Sequence, residues 1–194
     1  MSRALDPTGL KRLHRGWRRR TTARLGLVLD GVQSPFNVGS IVRTAAALGV
    51  EHLWLAGQCA TPADPKTGKT ALGTQRLLEW SHHGTAAAAV AEARAAGFRV
   101  VGLELTADAA PLPRARLEGD VCLMVGHEDH GLSPASLALC DEVAYVPQLG
   151  RVGSLNVATA TAVGLYEVRR REWAGAGAPP DDGHDTPSAP GPPG

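Results

Sequence analysis

With 194 residues, 43% hydrophobic and 20% charged, the chain is long enough for one domain with a substantial core and too short for two comfortable ones. Three cysteines, Cys59, Cys122 and Cys140, an odd count without a Cys-x-x-Cys pair, suit reduced thiols in a cytoplasmic protein better than a disulfide framework or a zinc site. No apolar stretch approaches the roughly 20 residues that span a bilayer, no hydrophobic signal segment opens the chain, and the expectation is a protein with neither a membrane nor a metal partner.

Net charge is only +1, but it is unevenly placed. Up to Arg24, the bases Arg3, Lys11, Arg12, Arg15, Arg18, Arg19, Arg20 and Arg24 are opposed by Asp6 alone, so a basic arm (residues 1–24) precedes a mildly acidic body. That pattern suits a nucleic-acid contact, made by Lys11, Arg12, Arg15, Arg18, Arg19 and Arg20. An organellar transit peptide has a similar Arg-rich, acid-poor composition. Leu10, Leu13 and Trp17 at helical spacing between the bases favour the arm.

From Leu25 to Leu29 a short apolar run ends in Asp30 and Gly31, a strand and a turn. SPFNVGSIVRTAAALG follows as a loop and a helix with an apolar face of Ile41, Val42, Ala45, Ala46 and Leu48, closed by Gly49 where positive φ is wanted. Val50 to Ala56 reads as a strand, and Gly57 to Lys69 as an exposed loop rich in Pro, Gly and Lys. Thr85 to Ala96 is an Ala-rich helix closed by Gly97, Arg99 to Leu105 a strand, and Asp108 to Asp120 a proline-interrupted connection. Val121 to Val125 is continuously apolar, as in a parallel strand covered on both faces. A short helix around Ala135 to Leu139 and a strand from Glu142 to Pro147 complete an α/β pattern: a mainly parallel sheet with helices on both faces. The body is expected over residues 25–173. From Ala174 the chain has no base and no large apolar residue, so residues 174–194 read as a disordered tail.

GRVGSLNVATATAVGLYE, Gly150 to Glu167, changes character at one serine. Gly150 and Gly153 permit positive φ, Ser154 stands where an oxygen could cap a first helical turn, and the small residues that follow mean that something packs very close. Three segments follow strands: Asn37 to Arg43, Gly126 to Ser133 and Gly150 to Asn156. In open α/β sheets such loops gather around one ligand, so they are expected to converge. Their polar residues are Asn37, Arg43, Glu128, Ser133, Ser154 and Asn156, which could equally serve as caps and turn formers. Gly126-HEDH-Gly131 has the frame of a phosphate loop, but Leu132 stands where its lysine should be. No Gly-x-Gly turn follows the first strand and no Gly-x-Ser-x-Gly elbow is present, which disfavours dinucleotide and serine-hydrolase sites. His127 and His130 lack the His-Glu-x-x-His spacing, so no metal ligands are assigned.

Taken together, NVGSIVRTA from Asn37, GHEDHGLS from Gly126, and Pro147 followed by SLNV from Ser154 resemble the three ordered motifs of the SpoU/TrmH family of the SPOUT superfamily. Those proteins are RNA ribose 2′-O-methyltransferases that use S-adenosylmethionine. The resemblance covers Leu25 to about Arg171, and the basic run before the first strand also looks like the transfer-RNA-modifying members. It implies a C-terminal trefoil knot formed by the second and third motifs, a homodimer, and an RNA substrate, tRNA ahead of rRNA. An inactive RNA-binding protein of the same fold is the alternative. The resemblance points to a cofactor held by Leu103, Gly126, Val146 and Leu155, with Ser154 near the reacting centre. It places Arg43 on the 2′-hydroxyl as a general base; beside that, Glu128 is expected to orient Arg43 by a bidentate pair and Asn37 and Asn156 to hold the loops. A guanidinium, with a pKa above about 12, is a poor general base, so an electrostatic clamp is the preferred role for Arg43.

Overall fold

A seven-stranded sheet organises the chain, in the order β3-β2-β1-β6-β4-β7-β5. The strands are β1 (Leu25–Asp30), β2 (His52–Ala56), β3 (Glu79–His83), β4 (Arg99–Leu103), β5 (Ala110–Pro111), β6 (Val121–Val125) and β7 (Glu142–Tyr145), and every pairing is parallel. The computed structural model describes residues 4–175. These fall into a large unit, residues 23–172, and a small one of residues 4–22 and 173–175.

The apolar runs became strands because alternation serves two cores at once. Leu25, Leu27, Leu29, Leu53, Leu55 and Leu123 face one core, while Val28, Trp54, Cys122 and Met124 face the other. Helices α2 (Pro35–Ala47) and α6 (Val157–Gly175) cover the first with Val38, Ile41, Val42, Ala45, Leu165 and Val168. Helix α4 (Ala86–Ala95) covers the second with Ala89, Val90 and Ala93. At about 1.5–3 kcal/mol for each fully buried large aliphatic side chain, this two-sided burial is the main stabilising term. The expected α/β architecture with helices on both faces is therefore present. Gly164 explains the small residues of α6, since a Cβ there would stand 2.9 Å from Leu123 Cδ1 and 3.1 Å from Leu103 Cδ2.

Several expectations are corrected. The loop from Gly57 to Lys69 contains the start of a helix, α3 (Pro65–Ala71), begun by an aspartate cap in which Lys66 N donates to Asp64 Oδ1 at 2.7 Å, with Pro65 in the first turn. Strand β3 had no apolar run to announce it, because it is a half-exposed edge strand. The connection before β6 holds the two-residue β5 and a 3₁₀ turn, Leu112–Arg114. A four-residue α5 (Pro134–Leu137) starts at Ser133, whose Oγ accepts from Ser136 N, so Ser133 is a helix cap. Arg24, counted with the basic arm, belongs to the large unit and pairs with Asp120 at 2.9 Å and Glu51 at 3.5 Å. Ala174 and Gly175 are helical; the rest of the expected tail, residues 176–194, lies outside the described residues, as does Arg3.

In the small unit, α1 (Pro7–Arg19) is capped by Asp6, which accepts from Gly9 N at 2.7 Å. Trp17 and Trp173 pack at 4.7 Å between ring centroids, and Trp173 Nε1 donates to Thr21 Oγ1. Lys11, Arg12, Arg15, Arg18 and Arg19 are exposed, whereas Arg20 lies over the Trp17 ring and donates to the Trp173 carbonyl.

Candidate active site

Strand order places β1 and β6 side by side, with β2 and β3 continuing to one side and β4, β7 and β5 to the other. The chain's winding changes sense there, where a crevice opens beyond the carboxyl ends of the strands. Two loops leave that edge: Gly31 to Ser34, leading into α2, and Gly126 to Ser133. Glu128 ties them together. Its Oε1 accepts from Ser34 N at 2.9 Å and Asn37 Nδ2 at 3.0 Å, and its Oε2 from Gln33 N at 3.2 Å. Burial alone would push the Glu128 carboxyl up, but the hydrogen bonds from Asn37 and from the backbone outweigh it and hold the group below its ordinary value.

The third loop joins through Asn156. Its Oδ1 accepts from Ala158 N at 2.9 Å and Thr159 N at 3.2 Å, while its Nδ2 donates to Asn37 Oδ1 at 3.0 Å. Asn156, Asn37 and Glu128 thus form one directed relay in which each amide has a fixed orientation. Asn156, and not Ser154, caps α6, and neither Gly150 nor Gly153 has positive φ. The three expected segments meet through Asn37, Glu128 and Asn156, but Asn37 to Arg43 lies within helix α2 rather than in a loop, and Arg43 takes no part in the junction.

Beside this relay lies an open cavity of about 260 Å³, floored by the ends of β4, β6 and β7 and closed by the segment leading into α6. Leu103, Gly126, Val146, Ser154 and Leu155, the expected cofactor set, all line it, as does Glu128; Asn37, Arg43 and Asn156 do not. The loop between Gly126 and Gly131 is pinched by reciprocal backbone bonds between His127 and Gly131. Gly131 sits at φ 64°, and a Cβ there would overlap the Glu104 carboxylate, so only glycine fits. Glu104 Oε2 accepts from Leu132 N at 2.8 Å and Oε1 from Leu105 N at 3.0 Å, fastening that loop to the end of β4. Sequence reasoning missed Glu104, although an acid directly after a buried strand was a usable signal. It also missed Gln148, whose Oε1 is buried at the cavity and has no hydrogen-bond partner among the described residues.

Arg43 is not where Glu128 could orient it. The Glu128 carboxylate is occupied by the first loop, and Arg43 is exposed on α2 with no hydrogen bond or ion pair among the described residues. The proposed Arg43–Glu128 pair is thereby corrected: the carboxylate accepts instead from the Gln33 and Ser34 amides before α2 and from the Asn37 side chain. His127 and His130 stack at 4.9 Å, and His127 Nδ1 accepts from Asp129 N. Among the described residues no group of three or more His, Cys, Asp or Glu could hold a metal ion, and no helix is long and apolar enough to cross a membrane. Burial pushes the Cys59 and Cys140 thiols up to about 11 and Cys122 higher still, so none is a thiolate at neutral pH.

The relay, the glycine-pinched loop and the cavity occupy the span that matches a known family, since residues 24–166 match the SpoU rRNA Methylase family. The chain is a member of the SpoU family. It is 34% identical over 146 residues to the 23S rRNA (guanosine-2′-O-)-methyltransferase RlmB of Acinetobacter baylyi, covering 75% of this chain and 59% of that one. Against the tRNA (guanosine(18)-2′-O)-methyltransferase of Escherichia coli it is 31% identical over 150 residues, covering 76% and 63%. The crystal structure of the SpoU methyltransferase AviRb from Streptomyces viridochromogenes in complex with the cofactor AdoMet superposes with a TM-score of 0.70 at 32% identity, covering 78% of this chain and 59% of that one. This SpoU chain thus spans about three fifths of the length of these relatives.

Proposed function

We propose that the protein transfers the methyl group of S-adenosylmethionine to a ribose 2′-hydroxyl in structured RNA, tRNA ahead of rRNA. The observation that carries this is the Asn156–Asn37–Glu128 relay, which fastens three segments of the chain beside a cavity with apolar and acidic walls. Leu103, Val125, Val146 and Leu155 supply apolar walls for a flat base. Glu104, Glu128 and Asp129 supply negative charge, and among the described residues no lysine or arginine lines the cavity to oppose a sulfonium cation. Gln148 Oε1 offers an acceptor that the described residues leave unused.

When bound, the cofactor supplies an electrophilic methyl on positively charged sulfur. The ribose oxygen forms the new C–O bond as the C–S bond breaks, its electrons staying on sulfur, and the hydroxyl proton leaves to water or an RNA phosphate. The chain's own share is positioning, worth up to roughly 7–11 kcal/mol of barrier. Ser154, exposed at the cavity mouth, is assigned to the reacting centre, with Gly126, Leu103, Val146 and Leu155 holding the cofactor. Arg43, free to reach outward, clamps the adjacent phosphate and the developing alkoxide. Asn37, Glu128 and Asn156 keep the loops in register.

We assign the basic segment up to Thr22 as an RNA-contacting arm, residues 23–173 as the catalytic body, and residues beyond Gly175 as dispensable. A trefoil knot through the second and third loops is in keeping with the tight seat of Gly164 against Leu103 and Leu123. Exposed Leu149, Val152, Val163 and Tyr166 support a homodimer that buries the start of α6. Unpaired thiols support a cytoplasmic location. The test is incubation with methyl-labelled S-adenosylmethionine and total RNA in the presence of chelator. Label entering RNA is expected; RNA binding without label would favour an inactive RNA-binding protein, and label only after metal is restored would mean that the histidines were wrongly set aside.

A further inference from the structure

On the large unit, most arginines are neutralised within the fold. Arg24, Arg94, Arg99, Arg116, Arg169, Arg170 and Arg171 each pair with a carboxylate. Arg114 and Arg151 also stand exposed without an ion pair among the described residues, but the face built by α2, α3 and the 3₁₀ turn Thr74–Leu77 gathers several such cations together. Lys66, Lys69 and Arg76 are exposed, and none makes an ion pair or side-chain hydrogen bond among the described residues. The only carboxylate beginning this stretch, Asp64, is engaged in capping α3.

Large apolar side chains stand exposed on the same elements: Phe36 at 73%, Leu72 at 67% and Leu77 at 76%. Leu72 is moreover the one non-glycine residue with positive φ, 52°, among the described residues. A bulky side chain in that region is strained, and Leu72 is not compensated by burial. Helix geometry joins these features to Arg43. Helix α3 crosses α2 at Gly39, where a Cβ would stand 2.6 Å from Thr70 Cβ and 2.7 Å from the Thr67 carbonyl. Phe36 and Arg43, three residues before and four after Gly39, lie on the stripe of α2 that flanks this crossing.

We propose that the α2–α3 face is a second RNA-binding surface, on which Lys66, Lys69 and Arg76 neutralise backbone phosphates and Phe36 and Leu77 pack against unpaired bases flanking the nucleotide delivered to Arg43. The occupant is single-stranded or looped RNA, because unopposed cations interleaved with an exposed aromatic residue match a polyanion with stackable faces. Leu72, the exposed left-handed C-cap of α3, lies between Lys69 and the turn. This surface rests on the RNA-methylating reading and deepens it, since it states how the strand reaches the site.

The test compares the full chain with a Lys66→Ala/Lys69→Ala/Arg76→Ala variant and with a Phe36→Ala/Leu77→Ala variant. Affinity for an unmodified tRNA transcript is measured across a salt series, and S-adenosylmethionine affinity is measured alongside. The charge variant is expected to keep its cofactor affinity and to lose about 2 from the log–log salt slope, at roughly 0.7 for each single-strand phosphate contact. The apolar variant is expected to bind RNA roughly tenfold more weakly at every salt concentration with the slope unchanged. A wild-type slope and affinity in the charge variant, while truncating the basic arm still lowers both, would overturn the surface and leave the methyltransferase reading standing. Failure of the wild-type chain to bind any RNA would overturn both.

Discussion

Arg43 and Glu128 carry the clearest expectations for single side chains. If Arg43 stabilises charge, Arg43→Ala should lose on the order of 10²–10³ in turnover, as for removal of one preorganised donor. Arg43→Lys should keep more activity, because a point charge survives the loss of the planar fork. Turnover against pH at saturating cofactor and RNA separates this from a base role: a clamp gives a slower enzyme with an unmoved profile, whereas a base gives a profile moved to lower pH. Glu128 offers a second test. Its folded pKa is held below the ordinary 4.5, so its contribution to stability is fully present above that value and disappears as pH falls through the folded pKa. Glu128→Gln should therefore be less stable than wild type at neutral pH, and the gap between the two thermal midpoints should close under acid conditions. A gap independent of pH would mean that the carboxylate charge contributes nothing to the relay.

Among the elements, α6 concentrates what the fold requires. Its N-terminus is organised by Asn156 and its buried middle by Gly164. Near its other end Arg169, only 2% exposed, donates to the carbonyls of Ala23, Leu48 and Gly49 and pairs with Glu172. Replacing Arg169 with leucine would orphan three buried carbonyls and remove the guanidinium beside Glu172, so a loss of about 3–5 kcal/mol is expected in denaturant unfolding. A loss below 1 kcal/mol would show that water reaches these groups freely. Arg169 in the run RRR gave no hint of burial, because one of three consecutive bases is not distinguished by any local pattern. By contrast the central strands, α2, α4 and the glycines closing them were legible, since continuous apolar runs and positive-φ stops are local signals. Edge strand β3 and helix α3 were not, as their polar composition resembles a loop and only neighbouring strands and helices decide their conformation. In the same way Asn37, Glu128 and Asn156 were legible as candidates, while the identity of their partners depended on loops brought together from distant positions.

For the chain as a whole, the uneven charge separates two contributions to RNA binding. Deleting the arm up to Arg20 should weaken RNA binding and lower its salt slope by about 0.7 to 0.9 for each phosphate contact removed. Truncation after Gly175 should leave transfer intact, because the residues beyond it include no base and no large apolar side chain. RNA affinity unchanged at every salt concentration by the arm deletion would revive the transit-peptide reading.

Methylation of a ribose oxygen, as opposed to a base, is the central claim, and alkaline hydrolysis tests it most directly. RNA chains break in alkali because each free 2′-hydroxyl attacks its own phosphate, so a methylated 2′-oxygen protects the linkage that follows it. After reaction of the full chain with methyl-labelled S-adenosylmethionine and unmodified tRNA, the label should appear in alkali-resistant dinucleotides. Label recovered only in mononucleotides would place the methyl on a base and contradict the account.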